Sequence, residues 1–272
     1  MLMTKKLQIK AKIEDAFSQM TPLEMSIGHF FIDNDLDEAH ISSRLIVQRL
    51  HVSQAALTRF AKKCGYSGYR SFTFDYLQAI QASESTFQDI NRDVTKRVLV
   101  DYDTLINKTY SLVDEEKLQS LAEQVDQAER IYFYGKGSSA LVAQEMKLRF
   151  MRLGIICDAY SDTDGFTWAN SLVNKNCLVI GFSLSGNTTS VIKALEKAAA
   201  NGAKTTLITT RNQKYFSDQL DIINVSSTHQ LNYGNRVSPQ FPLLIMMDII
   251  YAYVLEIDRD KKEHIFEKTI IN

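Results

Sequence analysis

Cys177-Leu-Val-Ile-Gly-Phe-Ser-Leu-Ser-Gly-Asn-Thr-Thr-Ser190 is the stretch on which the fold of the second half turns. Cys177 to Ile180 is an apolar run that reads as a buried strand. A turn rich in glycine and hydroxyl groups follows, and Val191 to Ala200 then repeats apolar residues at helical spacing. A strand that passes directly into a helix N-terminus makes a place for an anion, because the first amides of a helix lack intrahelical partners and carry the positive end of its dipole. Ser183, Ser185, Thr188 and Thr189 add hydroxyls that bond phosphate oxygens without adding charge, while Gly186 lets the backbone come close. The expected ligand is a phosphate ester. The competing reading is a helix cap whose serines are incidental.

Working outward, strand and helix patterns alternate from Arg130 onward. Strands are expected at Ile131–Tyr134, Ile155–Cys157, Cys177–Gly181, Thr205–Thr209 and Asp221–Val225, and helices at Ser138–Leu153, Thr163–Leu172, Thr188–Ala200 and Pro242–Glu256. Such alternation implies right-handed parallel crossovers and a sheet covered on both faces, with ligands beyond the carboxyl ends of the strands. Gly135-Lys136-Gly137-Ser138-Ser139 repeats the opening theme: a strand, a glycine turn and a helix start. A dinucleotide fingerprint is the alternative, but Ala140 stands where a third glycine belongs. Two serine-bearing loops suit one phosphorylated, polyhydroxylated ligand better.

The first half is helical and sharply punctuated. Thr21-Pro22 opens a helix with Glu24 placed for a capping box, and its apolar face carries Met25, Ile27, Phe30, Phe31 and Ile32. Ser42 to Lys63 has helix-turn-helix spacing, with Leu45, Ile46 and Leu50 inward, a tight turn at His51, and Ser53 capping a second helix that buries Leu57 and Phe60. That second helix would enter the major groove. Ser53, Gln54, Ala55, Thr58 and Arg59 are expected at base edges, whereas Arg44, Lys62, Lys63 and Arg70 suit phosphates. A further helix is expected from Tyr69 to Gln81, and residues 82–97 are polar, a linker or a solvated helix. Two more helices follow, Val98–Val113 and Asp114–Gln127, the latter with Asp114 as cap.

Charge distribution supports this reading more than charge sum. The net formal charge is -1, yet no Asp or Glu occurs from Ser42 to Arg70 among six Arg and Lys residues: Arg44, Arg49, Arg59, Lys62, Lys63 and Arg70. The alternatives for this basic face are a protein-binding module or a solvated surface. Cys64, Cys157 and Cys177 are odd in number and widely spaced, so core thiols are expected rather than disulfides or a metal site. The N-terminal lysines do not make a secretory signal and no apolar run reaches membrane-spanning length, so the expected location is the cytoplasm, with no membrane partner.

The paired motifs Gly135-Lys-Gly-Ser-Ser139 and Ser183-Leu-Ser-Gly-Asn-Thr188 resemble the sugar isomerase (SIS) domain, and the N-terminal half resembles the helix-turn-helix of RpiR-type (MurR/RpiR family) transcriptional regulators. Phe60-Ala-Lys-Lys-Cys-Gly-Tyr-Ser-Gly-Tyr69 is close to that family's passage out of its recognition helix, and the resemblance spans roughly residues 20 to 255. It implies an all-α DNA-binding domain followed by an α/β domain with a five-stranded, mainly parallel sheet, a flavodoxin-like three-layer sandwich. The divisions expected are 1–81 for the helix-turn-helix, 82–112 for a helical connector and 113–272 for the phosphosugar domain. The chain departs from the family at His51, where glycine is common, and in Ser227–Arg236, where the family's acidic residue has no counterpart.

The resemblance implies a DNA-binding regulator of sugar or amino-sugar metabolism genes, controlled by a sugar phosphate held by Gly137, Ser138, Ser139, Ser183, Ser185, Gly186, Asn187 and Thr188. The alternative is an isomerase-like enzyme with an accessory helical domain. Aldose-ketose isomerisation needs a base beside a carbonyl, and the missing acid leaves only His229, so no catalytic residue and no cofactor are expected. His29, beside Phe30, is expected to pack. Trp168 and the tyrosines are expected in the core or at an interface. An operator with two half-sites calls for a homodimer or higher oligomer. Leu243–Leu255, with Ile245, Met246, Ile249 and Ile250, and the helices near Leu105 and Leu112 are the candidates for that contact, core packing being the other account of their apolar stripes.

Overall fold

A computed structural model describes residues 5–34, 36–86, 90, 92–226 and 237–270. They form two compact units, Met1–Val100 and Asp101–Asn272.

The first unit is helical: α1 (Lys5–Ala16), α2 (Pro22–Asp33), α3 (Ser43–Leu50), α4 (Gln54–Lys63), α5 (Tyr69–Thr86) and the start of α6 (Asp93–Tyr110). The caps expected at Thr21 and Ser53 are present, and Ser42 caps α3 as well. Thr21 and Glu24 complete the capping box of α2, Ser42 accepts from the Leu45 amide, and Ser53 accepts from the Ala56 amide. Phe31 is the hub of the core, stacked on Phe60 with ring centroids 5.8 Å apart and meeting Phe72 and Tyr76 edge-on. Each such ring contributes about 1.5–3 kcal/mol by leaving water. Two hydroxyls in this core find backbone acceptors, Tyr69 at Ile41 and Tyr76 at Phe31.

Three features of this unit differ from expectation. The lysine-rich N-terminus forms α1, whose Ile9, Ile13 and Ala16 are buried; the 4- and 3-residue spacing was there, masked by the charges between. Helix α5 runs past Gln81 to Thr86, and α6 begins at Asp93 rather than Val98, so both helices extend into the polar stretch that was read as a linker or a solvated helix. Leu45 is 41% exposed, not inward: Ile46 alone on α3 is fully buried, since eight residues make only two turns and one core-facing row.

The second unit continues through α6 into α7 (Glu115–Gln127), β1 (Arg130–Gly135), α8 (Ser138–Met151), β2 (Cys157–Tyr160), α9 (Thr163–Leu172), β3 (Cys177–Phe182), α10 (Thr189–Ala200), β4 (Lys204–Thr209), β5 (Asp221–Asn224), α11 (Phe241–Glu256) and α12 (Arg259–Glu267). The sheet order is β2-β1-β3-β4-β5 and every pairing is parallel. Alternate residues of β1 go to opposite faces. Ile131 and Phe133 meet α7, α8 and α11, while Tyr132 and Tyr134 meet α9 and α10, as period two requires. Strand β2 lies two residues later than expected, because an edge strand with only Cys157 buried carries little apolar signal. Helix α12 was not expected; it docks through Lys262, 4% exposed, whose ammonium reaches Asp126 at 2.6 Å.

The apolar stripes proposed for oligomer contact are largely core: Leu105, Leu243, Met246 and Ile250 are fully buried within the unit, with Ile245 and Ile249 half-buried. Trp168, by contrast, is 69% exposed on α9 and is not a core residue. The cysteines are buried free thiols, and burial pushes Cys157 up to about 11 and Cys64 to about 12. No helix of the described residues is long and apolar enough to cross a membrane.

Candidate functional site

Strand order makes the site. From β1 the chain crosses one way to β2 and then back over to β3 on the other side, so the crevice between β1 and β3 is the switch point where such sheets take ligands. The register pairs Gly135 with Phe182, so the two serine loops leave the sheet side by side. Gly135 is required there: a Cβ would lie 2.6 Å from the Ser139 carbonyl oxygen, closing the tight approach of α8 to its strand. Gly137, at φ 56°, supplies the left-handed step before α8 and offers no side-chain cap. The amide end of α8 therefore faces the crevice with only glycine before it.

The second loop is a hydrogen-bonded cup. The Ser183 hydroxyl, buried, donates to the Thr188 hydroxyl at 2.9 Å and accepts from the Thr188 amide at 3.4 Å, while the Gly186 amide donates to the Ser183 carbonyl at 2.9 Å. Ser185 is exposed and accepts from the Asn187 amide at 3.2 Å. Thr188 precedes α10 without capping it, which leaves the helix start to the crevice. The expected residues are thus brought together at one sheet edge with different roles. Ser183 and Ser139 are buried and shape the loops, whereas Gly137, Ser138, Ser185 and Asn187 are exposed at the mouth.

A third segment joins them that the sequence reading passed over. Thr209, fully buried at the end of β4, and Thr210 both donate their hydroxyls to the Leu184 carbonyl, at 3.4 and 2.8 Å. Arg211 follows, with its stem against Gly186. Its backbone carbonyl accepts from the Asn224 side chain at 2.7 Å. Nothing near Arg211 in sequence resembles a motif; only strand adjacency brings it here. His229 and the acid-free span Ser227–Arg236 lie outside the described residues. A separate cavity of about 490 Å³, bounded by Ser111, Asp114, Lys117 and Asn224, includes none of the predicted loop residues.

In the first unit, α3, the His51 turn and α4 form the helix-turn-helix. His51 adopts φ 52°, ψ 42°, the left-handed conformation that glycine usually fills. Arg44, Ser53, Gln54, Ala55, Arg59 and Lys62 are exposed, and Thr58 is half-buried with its hydroxyl donated to the Gln54 carbonyl at 3.1 Å. Lys63 does not match the expectation of a free phosphate contact: its ammonium lies 2.6 Å from Glu24, a carboxylate 2% exposed. Arg59 Nε also approaches Glu24, at 3.4 Å, while its side chain remains 59% exposed. The Lys63 hydrogen bond, with that from the Thr21 amide, holds the Glu24 carboxyl down at about 2. A segment free of acids is answered by an acid from an earlier helix.

A helix-turn-helix with an exposed basic reading helix, joined to an α/β unit with two loops at its switch point, defines a transcriptional regulator built from a DNA reader and a ligand-binding domain. Residues 7–83 match the helix-turn-helix domain of the rpiR family, and residues 124–227 match the SIS domain. The chain belongs to the RpiR-type helix-turn-helix transcriptional regulators that carry a SIS domain. The HTH-type transcriptional regulator RpiR of Escherichia coli (strain K12) is 26% identical over 231 residues, 82% of this chain and 78% of the relative. The structure of the Vibrio vulnificus NanR protein complexed with ManNAc-6P has a TM-score of 0.60 at 19% identity and covers 96% of both chains. The sugar isomerase domain of an RpiR transcription factor from Sphaerobacter thermophilus gives 0.57 at 18% identity, over 65% of this chain and 98% of that one. These two structures share the fold.

Proposed function

We propose that the chain binds operator DNA through α4 and adjusts that binding when a sugar phosphate occupies the crevice between β1 and β3. The observation that carries the proposal is the pairing of Gly135 with Phe182, which sets both serine loops at one switch point. Gly137, Ser138, Ser139, Ser183, Ser185, Gly186, Asn187 and Thr188 form the ligand site. Arg44, Ser53, Gln54, Ala55, Thr58, Arg59 and Lys62 form the DNA surface, and Lys63 supports it through Glu24. Residues 1–81 act as the reader, 82–112 as the connector and 113–272 as the effector domain, in a homodimer working in the cytoplasm. Exposed Leu141, Leu148 and Met151 on α8 give such a dimer an apolar face.

The two loops carry neither a carboxylate nor an imidazole to serve as a base, which supports sensing rather than conversion. Amino-sugar phosphates are the first candidates, since ManNAc-6P is the ligand of the NanR structure. A coupling of about 1–3 kcal/mol changes operator affinity 5- to 150-fold.

The test uses the full chain: thermal shifts against a panel of hexose and amino-sugar 6-phosphates, then anisotropy on DNA from upstream of its own gene with and without the stabilising compound. Stabilisation by a phosphosugar together with an altered DNA affinity is expected. Ser185→Ala should weaken the ligand and leave basal DNA binding alone. No stabilisation by any phosphosugar would overturn the site, and turnover of the compound would replace the sensor with an enzyme.

A further inference from the structure

The phosphosugar loops are electrically incomplete. A phosphate ester near neutral pH carries up to two negative charges, whereas Ser183 to Ser190 contributes only amides and hydroxyls. Among the loop residues named above, the sole cation is Lys136, exposed between its two glycines.

Arg211 supplies what is missing. The register of β3 with β4 pairs Phe182 with Ile208, so the residues just after β4 run beside the Ser183–Thr188 loop. Two hydrogen bonds tie the segments together: the Ser183 amide to the Ile208 carbonyl at 3.2 Å, and the Thr210 amide to the Leu184 carbonyl at 3.0 Å. Arg211 itself is fixed at both backbone ends, its amide donating to the Thr209 hydroxyl at 3.3 Å and its carbonyl accepting from Asn224 at 2.7 Å. Its aliphatic stem lies on Gly186, where a Cβ would stand 2.8 Å from Arg211 Cδ and 3.0 Å from Cγ. The guanidinium carbon sits 5.0 Å from the centroid of the Tyr215 ring. Arg211 is half-buried and makes no ion pair with an acid among the described residues.

A guanidinium whose half-buried residue lays its stem on a neutral hydroxyl cup, over an aromatic ring and with no ion-paired carboxylate among the described residues, is charge kept available. Its planar fork matches two phosphate oxygens, and a partly desolvated charge-assisted bond is stronger than one in water. We propose that the Arg211 guanidinium is the charged contact for the phosphoryl group seated on the Ser183–Thr188 loop, so that it selects phosphorylated over unphosphorylated sugars. The inference rests on the sugar-phosphate reading above. Gly186 then has a second purpose, since only a residue without a side chain leaves room for that stem.

The test compares the full-length chain with Arg211→Met, which keeps the stem on Gly186 and Tyr215 but removes the charge, and with Arg211→Lys. The probes are ManNAc-6P, N-acetylmannosamine and inorganic phosphate, followed by calorimetry and by phosphorus NMR. Wild type should bind ManNAc-6P or inorganic phosphate. Arg211→Met should weaken whichever binds by about 10- to 100-fold with the unliganded melting temperature unchanged, the size expected for a lost hydrogen bond to a charged group. Arg211→Lys should recover part of the loss, because an ammonium keeps the charge without the fork. Wild-type affinity in Arg211→Met would overturn the Arg211 assignment while leaving the phosphosugar site standing. Failure of wild type to bind either phosphorylated probe, together with no stabilisation by any phosphosugar of the panel above, would overturn both.

Discussion

Glu24 and Lys63 are 39 residues apart in sequence, and the Lys63 ammonium donates to the Glu24 carboxylate at 2.6 Å. The same carboxylate accepts from the Thr21 amide at 2.9 Å and the Thr21 hydroxyl at 3.0 Å, so one side chain caps α2 and clamps α4 to it. The reading helix is therefore set by an acid that sits outside the basic segment.

Glu24 should make the first unit acid-sensitive. Its carboxyl is lowered from 4.5 to about 2, first by the Lys63 hydrogen bond and then by the Thr21 amide. A depressed folded-state value means that its contribution is complete above pH 4.5 and is lost as pH falls from there through about 2. Glu24→Gln should cost about 1–3 kcal/mol at pH 7, since it leaves the Lys63 ammonium without its counter-charge. Urea unfolding from pH 7 down to 2 should show the gap between wild type and variant closing over that window. A gap independent of pH would remove the charge from the explanation.

Lys62 and Lys63 are adjacent but should behave differently on DNA. Lys62 is exposed and Lys63 is committed to Glu24. Lys62→Ala should flatten the dependence of log affinity on log salt by about one unit, as for a lost phosphate contact. Lys63→Ala should change that slope less and lower the melting temperature more. Arg59→Ala should cost about 1–3 kcal/mol of operator binding if its exposed fork reads a base; equal losses on all DNA sequences would make it a phosphate contact.

His51 holds φ 52° at the turn of the helix-turn-helix. A side chain in that region costs about 1 kcal/mol or more relative to glycine, and most for β-branched residues. His51→Gly should leave stability equal or raise it by up to about 1 kcal/mol, while His51→Val should lower it by about 1–2 kcal/mol. Thermal melts of the two variants decide this; a destabilised His51→Gly would mean that the imidazole makes a contact of its own.

Gly186 combines φ 62° with crowding, since a Cβ there would lie 2.8 Å from Arg211 Cδ and 2.9 Å from the Thr209 hydroxyl. Gly186→Ala should displace the loop or the arginine and weaken phosphosugar binding at least tenfold, about 1.4 kcal/mol. Basal DNA binding should stay unchanged, because this loop belongs to the other unit. Calorimetry and anisotropy on the same preparation separate the two, and undiminished ligand affinity would show that the loop is not where the phosphate sits.

Much of this was readable from local signals. Thr21, Ser53 and Asp114 cap helices where expected, because an N-cap acts within three residues and leaves its mark in the sequence. The strands from Ile131 and Cys177 were legible as apolar runs, since strands buried on both faces cannot hide their composition, and those from Thr205 and Asp221 were legible through Leu207-Ile208 and Ile222-Ile223. Edge strand β2 and the lysine-rich α1 were misplaced or missed because their apolar signal is thin: β2 buries Cys157 alone, and charged residues separate the buried positions of α1.

By itself, then, the sequence determined that a helix-turn-helix precedes an α/β domain with two hydroxyl-rich loops, because caps, turns and hydrophobic periods are properties of neighbouring residues. Tertiary structure alone decided which charges are available. It withdrew Lys63 from the basic face by bringing Glu24 beneath it, and it delivered Arg211 to the Ser183–Thr188 loop through the pairing of β3 with β4. Coulomb forces and close packing act through space, and these partners lie 39 and 25 residues apart along the chain, where no local pattern records them.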